Sequence, residues 1–257
     1  MFSQIEQTKF FIKLEKANTS LSKTLCGFLI SMEKPTEDIL SYIKSIYPSF
    51  TDHSFSHSLR ILEKTYMILS KEFINELSTV EVFCFICASM FHDCGMAIPN
   101  CDDIEEQRKN HHLLVGQILK KFFDDNLNLL TFSKRIYNCV LFACESHNLD
   151  LDEFYNHEKF GIEETIDDCK VRFSLVAVLL RVGDLLDMDE ERVYINTINA
   201  LPYYFYKNNS LAHHERHLNI DSYHLGTNKI EIIVHADTKD EYYIWNQWFH
   251  YLENDIE

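Results

Sequence analysis

The sequence predicts a mainly α-helical protein. With only 6 Gly and 4 Pro in 257 residues, the chain has little of the turn chemistry that a sandwich or barrel needs. Apolar residues recur instead at intervals of three and four through most of its length, and 46% hydrophobic content is ample for a core. The length suits one large domain or two small ones.

Taken in order, Phe10, Leu14, Ala17, Leu21, Leu25 and Phe28 mark one amphipathic helix that should stop before Pro35. Thr36, followed by Glu37 and Asp38, reads as the cap of a second, shorter helix that ends at Tyr47-Pro48. A polar approach from Thr51 leads into a helix with His57 in its first turn and Leu59, Leu62, Tyr66 and Leu69 beyond. Val82 to Phe91 is apolar on every side, so its helix should be central, and Gly95 is placed to close it in a left-handed conformation.

Asp102, Asp103, Glu105 and Glu106 then lead a helix with Lys120 and Lys121 at its far end, the order that complements the helix dipole. Ile136, Val140 and Ala143 mark another, terminating at Glu145-Ser146-His147-Asn148. Asp150 to Lys170 is expected to be an irregular connection, and Val171 to Met188 a second thoroughly apolar helix. Beyond Arg192 the character changes. Leu218 to Val234, with Gly226-Thr227-Asn228 at its middle, reads as a small β-hairpin, and Ile244, Trp248 and Leu252 as a terminal helix. The expected organisation is a helical domain over residues 1–192 and a C-terminal appendage over 193–257, packed on the same domain.

A net charge of −16 argues against an extended nucleic-acid surface, which needs a basic face. The 8 cysteines fall mostly within apolar segments, and the Cys84/Cys87 pair sits inside a hydrophobic helix, where free cysteine packs as a small hydrophobe. That usage points to a reducing, cytoplasmic setting. Charged residues interrupt the apolar runs, and no signal peptide or membrane span is expected.

The chemistry concentrates in His57, His92-Asp93, His112, His147 and Asp184, each on a different predicted helix. Imidazoles mixed with carboxylates suit divalent Mn, Fe, Co, Ni or Zn. His111 stands in the same helical turn as His112, and the sequence leaves open which of the two is the ligand. Asp187 reads as an outer or surface group, His53 as a residue near a helix start that could reach the site, and His213, His214, His217, His224 and His235 as surface or hairpin residues.

The order of His57 in His-Ser-Leu-Arg-Ile-Leu, His92-Asp93 before Gly, and Asp184 in Leu-Leu-Arg-Val-Gly-Asp-Leu-Leu-Asp resembles the HD superfamily of metal-dependent phosphohydrolases, over residues 48–192. His112 and His147 are similar to the extra histidines of its two-metal phosphodiesterase branch. Thr51-Asp52-His53 and the stretch 184–192 resemble HD domains associated with Hsp90-like ATPases. Two departures stand out: no Gly-Tyr-Pro segment follows His147, and residue 183 is Gly where many relatives carry Ala.

The resemblance implies an HD-type helical bundle around a metal site that holds one or two divalent transition-metal ions. His57, His92, Asp93 and Asp184 would hold the first, and Asp93, His112 and His147 a second. Asp93, His112 and His147 would be the catalytic set, acting through metal-activated water or as acid and base. Arg60, Arg108 and Arg181, each one turn from a ligand, would clamp the phosphate of a nucleotide or cyclic nucleotide. A nucleotide-sensing or partner-regulating module without turnover, and an HD-type di-iron oxygenase, are the alternative readings. A homo-oligomer or an ATPase-domain partner stays open.

Overall fold

The computed structural model describes residues 3–98, 104–126, 133–188, 190–193, 214 and 216–256. Helices dominate, and the structure is organised around the one that the sequence marks as central. That helix, α5 (Thr79–Phe91), follows α1 (Lys9–Lys16), α2 (Ser20–Ile46), α3 (Phe55–Ile68) and α4 (Lys71–Glu76). Ser78 and Glu81 form a reciprocal capping box at its start, and every residue from Val80 to Phe91 is buried. Helices α1, α2 and α3 pack against it, as do α7 (Ser133–Ser146) and α9 (Phe173–Leu185), so its apolar faces all have partners. The stretch Thr79–Ala97 is, among the described residues, the one long and apolar enough to cross a membrane, yet 94% of it lies inside the protein. Its hydrophobicity is accounted for by the core.

The N-terminal region departs from expectation twice. Asn18 takes a left-handed φ of 50° and separates α1 from α2, where Thr19 and Ser22 make a capping box. Pro35 then lies inside α2 instead of ending it. An interior proline costs roughly 3 kcal/mol, but Leu25, Leu29, Met32, Leu40 and Ile43 stay buried on both sides of it. At about 1.5–3 kcal/mol for each buried large side chain, continuing the helix is favoured. Helix α6 (Ile104–Asn126) likewise runs past Lys120 and Lys121, which are not in its last turn.

The segment expected to be irregular after residue 150 contains α8 (Leu151–Asn156) and an antiparallel hairpin of β1 (Glu163–Ile166) and β2 (Cys169–Arg172). Asp150 and Glu153 cap α8 reciprocally. Buried Glu81 accepts hydrogen bonds from the backbone, Nε and Nη2 of Arg172 at 3.0, 2.7 and 3.0 Å, tying the end of β2 to the start of α5.

The second hairpin, β3 (Ile220–Gly226) with β4 (Lys229–Val234), and the terminal helix α10 (Lys239–Ile256) follow the sequence reading. They share a small core with α9, made of Val182, Leu186, Met188, Leu225, Trp245, Trp248 and Leu252. The C-terminal segment thus packs on the helix that carries Asp184.

Gly95 does not take a left-handed conformation; among the described glycines only Gly161 has a positive φ. Gly95 lies in a 3-10 turn, Cys94–Ala97, and a Cβ there would stand 2.0 Å from the carbonyl oxygen of His111. Its role is close approach. The missing side chain lets α6 pack against the turn after α5, and Gln107 fastens the contact through Nε2 to the Ile98 carbonyl at 2.7 Å.

Candidate metal centre

Five elements deliver side chains to one point. His57 comes from the first turn of α3, His92 and Asp93 from the end of α5, His111 from α6, His147 from the residue after α7, and Asp184 from the last turn of α9. They form two groups, His57–His92–Asp184 and Asp93–His111–His147, each with candidate ligand atoms within 4.8 Å of one another.

Hydrogen bonds fix the direction of the imidazoles. The Nδ1 of His92, His111 and His147 meets the carbonyl oxygen of the residue three earlier, Ser89, Arg108 and Cys144, at 3.0, 2.6 and 2.5 Å. A carbonyl only accepts, so each Nδ1 carries a proton and each ring turns its Nε2 inward. His57 is held the same way by a carboxylate, with Nδ1 donating to Asp187 Oδ2 at 2.6 Å.

The inward atoms are electron-rich and closely packed. His111 Nε2 and His147 Nε2 lie 3.0 Å apart, and His57 Nε2 lies 3.1 Å from Asp184 Oδ1. Asp93 faces both groups: Oδ2 is 3.1 Å from His92 Nε2 and 3.7 Å from His57 Nε2, while Oδ1 is 3.3 Å from His111 Nε2. His57 Nε2, His92 Nε2 and Asp93 Oδ2 are buried and make no hydrogen bond among the described residues. Lone pairs facing one another in a dry interior call for an electrophile between them, a proton or a metal ion. The donor set therefore fits divalent cations, with Asp93 shared between two positions.

The electrostatics agree. Burial opposes ionisation of Asp93, but His92 and His111 outweigh it and hold the carboxyl well below its usual range. Burial likewise opposes protonation of His92, yet Asp93 and Asp184 lift it to about 9. Burial, with His111 and His92 nearby, lowers His147 to about 3. His53, whose Nδ1 meets the Thr51 carbonyl at 2.7 Å, is brought down to about 3, chiefly by burial.

The family comparison covers this whole assembly. A model for the family described as HD-CE matches residues 47–257. The chain belongs to the HD-CE family. The match includes every side chain of the two groups and the C-terminal hairpin and helix. Among curated proteins and among solved structures, nothing matches this HD-CE chain.

The sequence reading places His112 at the second position; the structure brings His111 there. The two are successive residues of one helix, about 100° apart around its axis, so one alone faces Asp93 and His147. His112 is also buried, its ring centroid 6.3 Å from that of His147, but it belongs to neither group. Burial, then His111, lowers it to about 4.

Asp187, expected either behind a ligand or at the surface, lies behind one: it is fully buried and accepts from His57, from Arg60 Nε at 2.9 Å and from Lys64 Nζ at 2.8 Å. Arg60 is therefore committed to Asp187 and, through Nη2, to Asp52 at 2.9 Å, and it does not line the cavity over the metal centre. Arg181 borders that cavity, but its Nη1 donates to the carbonyls of Ser146 and Leu149, and its Nε to Asp255 of α10 at 2.9 Å. Arg108 does line the cavity, with its guanidinium 5.3 Å from the Phe50 ring centroid.

Three lining residues were not foreseen: Arg192, Arg216 and His217. Arg192 donates from Nε and Nη2 to the Asp52 carbonyl at 3.2 and 3.0 Å, and its Nη1 is 3.6 Å from Asp184 Oδ1. His217 is buried and directs Nδ1 to the Met188 carbonyl at 2.8 Å. His214 is buried too, with Nε2 2.9 Å from the Ser49 carbonyl. No local pattern marks these histidines as interior, because a distant backbone carbonyl supplies each partner; His213 lies outside the described residues.

Proposed function

We propose that this chain is a metal-dependent phosphohydrolase that cleaves a phosphoester bond of a nucleotide or cyclic nucleotide. The observation that carries the reading is Asp93, whose two oxygens face two separate ligand groups at the floor of an arginine-lined cavity of about 440 Å³. A cavity of that size holds a nucleotide-sized ligand.

His57, His92, Asp93 and Asp184 would hold one cation, and Asp93, His111 and His147 the other. Bound divalent ions supply Lewis acidity toward phosphoryl oxygens and acidify water for attack at phosphorus. The chain's own residues do the positioning. Asp187 and the three backbone carbonyls hold the imidazoles in the tautomer that presents Nε2. Arg108 and Arg192 place positive charge on the cavity wall, where phosphate oxygens would sit.

The test couples metal content to turnover. Protein reconstituted with Mn, Fe, Co, Ni or Zn is assayed on a generic phosphodiester, a phosphomonoester and a nucleotide library, beside Asp93→Ala. Hydrolysis that follows metal occupancy and disappears in Asp93→Ala supports the reading. Loaded wild-type protein that hydrolyses nothing in the panel overturns it.

A further inference from the structure

The two candidate metal positions are not held alike. His57 stands in the first turn of α3 and His92 at the end of α5, both buried in the core. His147 is the first residue beyond α7 and only partly buried, so helix geometry no longer fixes its backbone. The Cys144 carbonyl aims its ring, but that aim is only as good as the placement of the turn 147–150. What fixes this turn fixes the second position.

Two side chains reach it from opposite sides. On the solvent side, exposed Asn148 donates from Nδ2 to the Lys109 carbonyl of α6 at 2.8 Å. On the inner side lies buried Arg181, from α9. Its Nη1 donates to the carbonyls of Ser146 and Leu149 at 2.6 and 2.8 Å, the residues one before and two after His147. The Ser146 carbonyl is among those that a helix end leaves without an intrahelical partner. The Arg181 guanidinium also lies 5.0 Å from the Phe154 ring centroid of α8. A buried guanidinium needs a counter-charge, and α10 supplies it. Asp255 Oδ1 meets both Nε and Nη2 of Arg181 at 2.9 Å, and the Arg181 and Asp255 side chains are 7% and 10% exposed, so solvent screens the pair little. A continuous chain of contacts therefore runs from α10 through Arg181 to the backbone on both sides of His147.

Resting on the two-cation reading above, we propose that Asp255 and Arg181 are positioning residues for His147, through which the C-terminal helix sets occupancy of the second metal position. Without the Asp255 carboxylate, the guanidinium keeps its carbonyl partners but loses the charge that holds it among them, and the turn carrying His147 gains freedom. The first position has its own anchors, Asp187 for His57 and the Ser89 carbonyl for His92, and neither involves Arg181 or Asp255. Loss of the pair therefore separates the two positions.

The test titrates the full-length protein, freed of metal by chelation, with Mn, and counts bound ions by the electron paramagnetic resonance signal of free Mn. Wild type should take up two ions in two steps, one for each ligand group. Asp255→Asn should weaken the second step by about tenfold or more, the usual cost of losing a group behind a ligand, and leave the first within about twofold. Arg181→Lys, which keeps the charge but not the fork that reaches two carbonyls and a carboxylate, should do the same. Asp221→Asn removes an exposed carboxylate of the same C-terminal segment, paired with His235, and should change neither step. With two ions added per chain, the signal of a spin-coupled Mn pair should be present in wild type and Asp221→Asn and largely lost from the other two. If Arg181→Lys fails to fold, Asp255→Asn, a neutral isostere at the end of α10, decides the matter. Steps that weaken together, or that both stay as in wild type, overturn the positioning role and leave the two-cation reading standing. Wild type that binds fewer than two Mn ions overturns that reading and the inference with it.

Discussion

Asp187→Asn is the most demanding perturbation of this centre, because it alters no group that faces the cavity. The carboxylate is fully buried and receives His57 Nδ1, Arg60 Nε and Lys64 Nζ at 2.6, 2.9 and 2.8 Å. Asparagine keeps the volume and one acceptor but removes the buried negative charge that His57, Arg60 and Lys64 share. Breaking a buried pair from one side costs about 3–5 kcal/mol. Partial retention of hydrogen bonding by the amide puts the expectation near 3 kcal/mol, or roughly 6–12 °C in Tm for a chain of this size.

His57 would also lose the carboxylate that orients its ring, for which about 10–100-fold in metal affinity is the usual cost. His57 and Arg192 help hold the Asp187 carboxyl well below its ordinary range against the opposing effect of burial. Its stabilisation is therefore present above the unfolded value of about 4 and is lost as pH falls through the folded value. Asp187→Asn should flatten that acid limb of the stability profile. Calorimetric melting of metal-free protein and metal titration give the two readouts separately. A variant that melts within about 1 °C of wild type and binds metal unchanged would refute the account of Asp187 as the anchor of His57.

His111→Ala should remove one bound metal equivalent, by elemental analysis, whereas His112→Ala should retain both, since only His111 meets Asp93 and His147. Gly183→Ala should destabilise by about 1–3 kcal/mol despite the higher helix propensity of alanine. Its Cβ would lie 2.3 Å from Thr65 Oγ1 and 2.9 Å from Ile61 Cγ2; an unchanged denaturation midpoint would count against the packing described. Metal affinity should fall as pH drops from 9 to 6, because His92, raised to about 9, must give up a proton to bind. A pH-independent affinity across that range would show that no such proton is displaced.

Much of the centre was legible because its residue types are costly to bury without a purpose. His57, His92, Asp93, His147 and Asp184 stood out as polar groups in the first turns and ends of apolar helices. Arg60 and Arg181 have structural partners for a common reason: one turn from a ligand is also where a buried acid or a helix C-terminus finds its cation. The two possibilities share one sequence pattern.

By itself, the sequence determined the helical class, the central α5, the C-terminal hairpin and the order of the ligand positions. The first three follow from local periodicity, capping and turn chemistry, and the last from the resemblance to the HD pattern. Only the tertiary structure decided that His111 and not His112 faces Asp93, that Asp187 is the buried anchor, and that Arg192, Arg216 and His217 complete the cavity. Their partners lie tens of residues or more away in the chain. Rotation about a helix axis and pairing across the fold are set by packing, which no local pattern encodes.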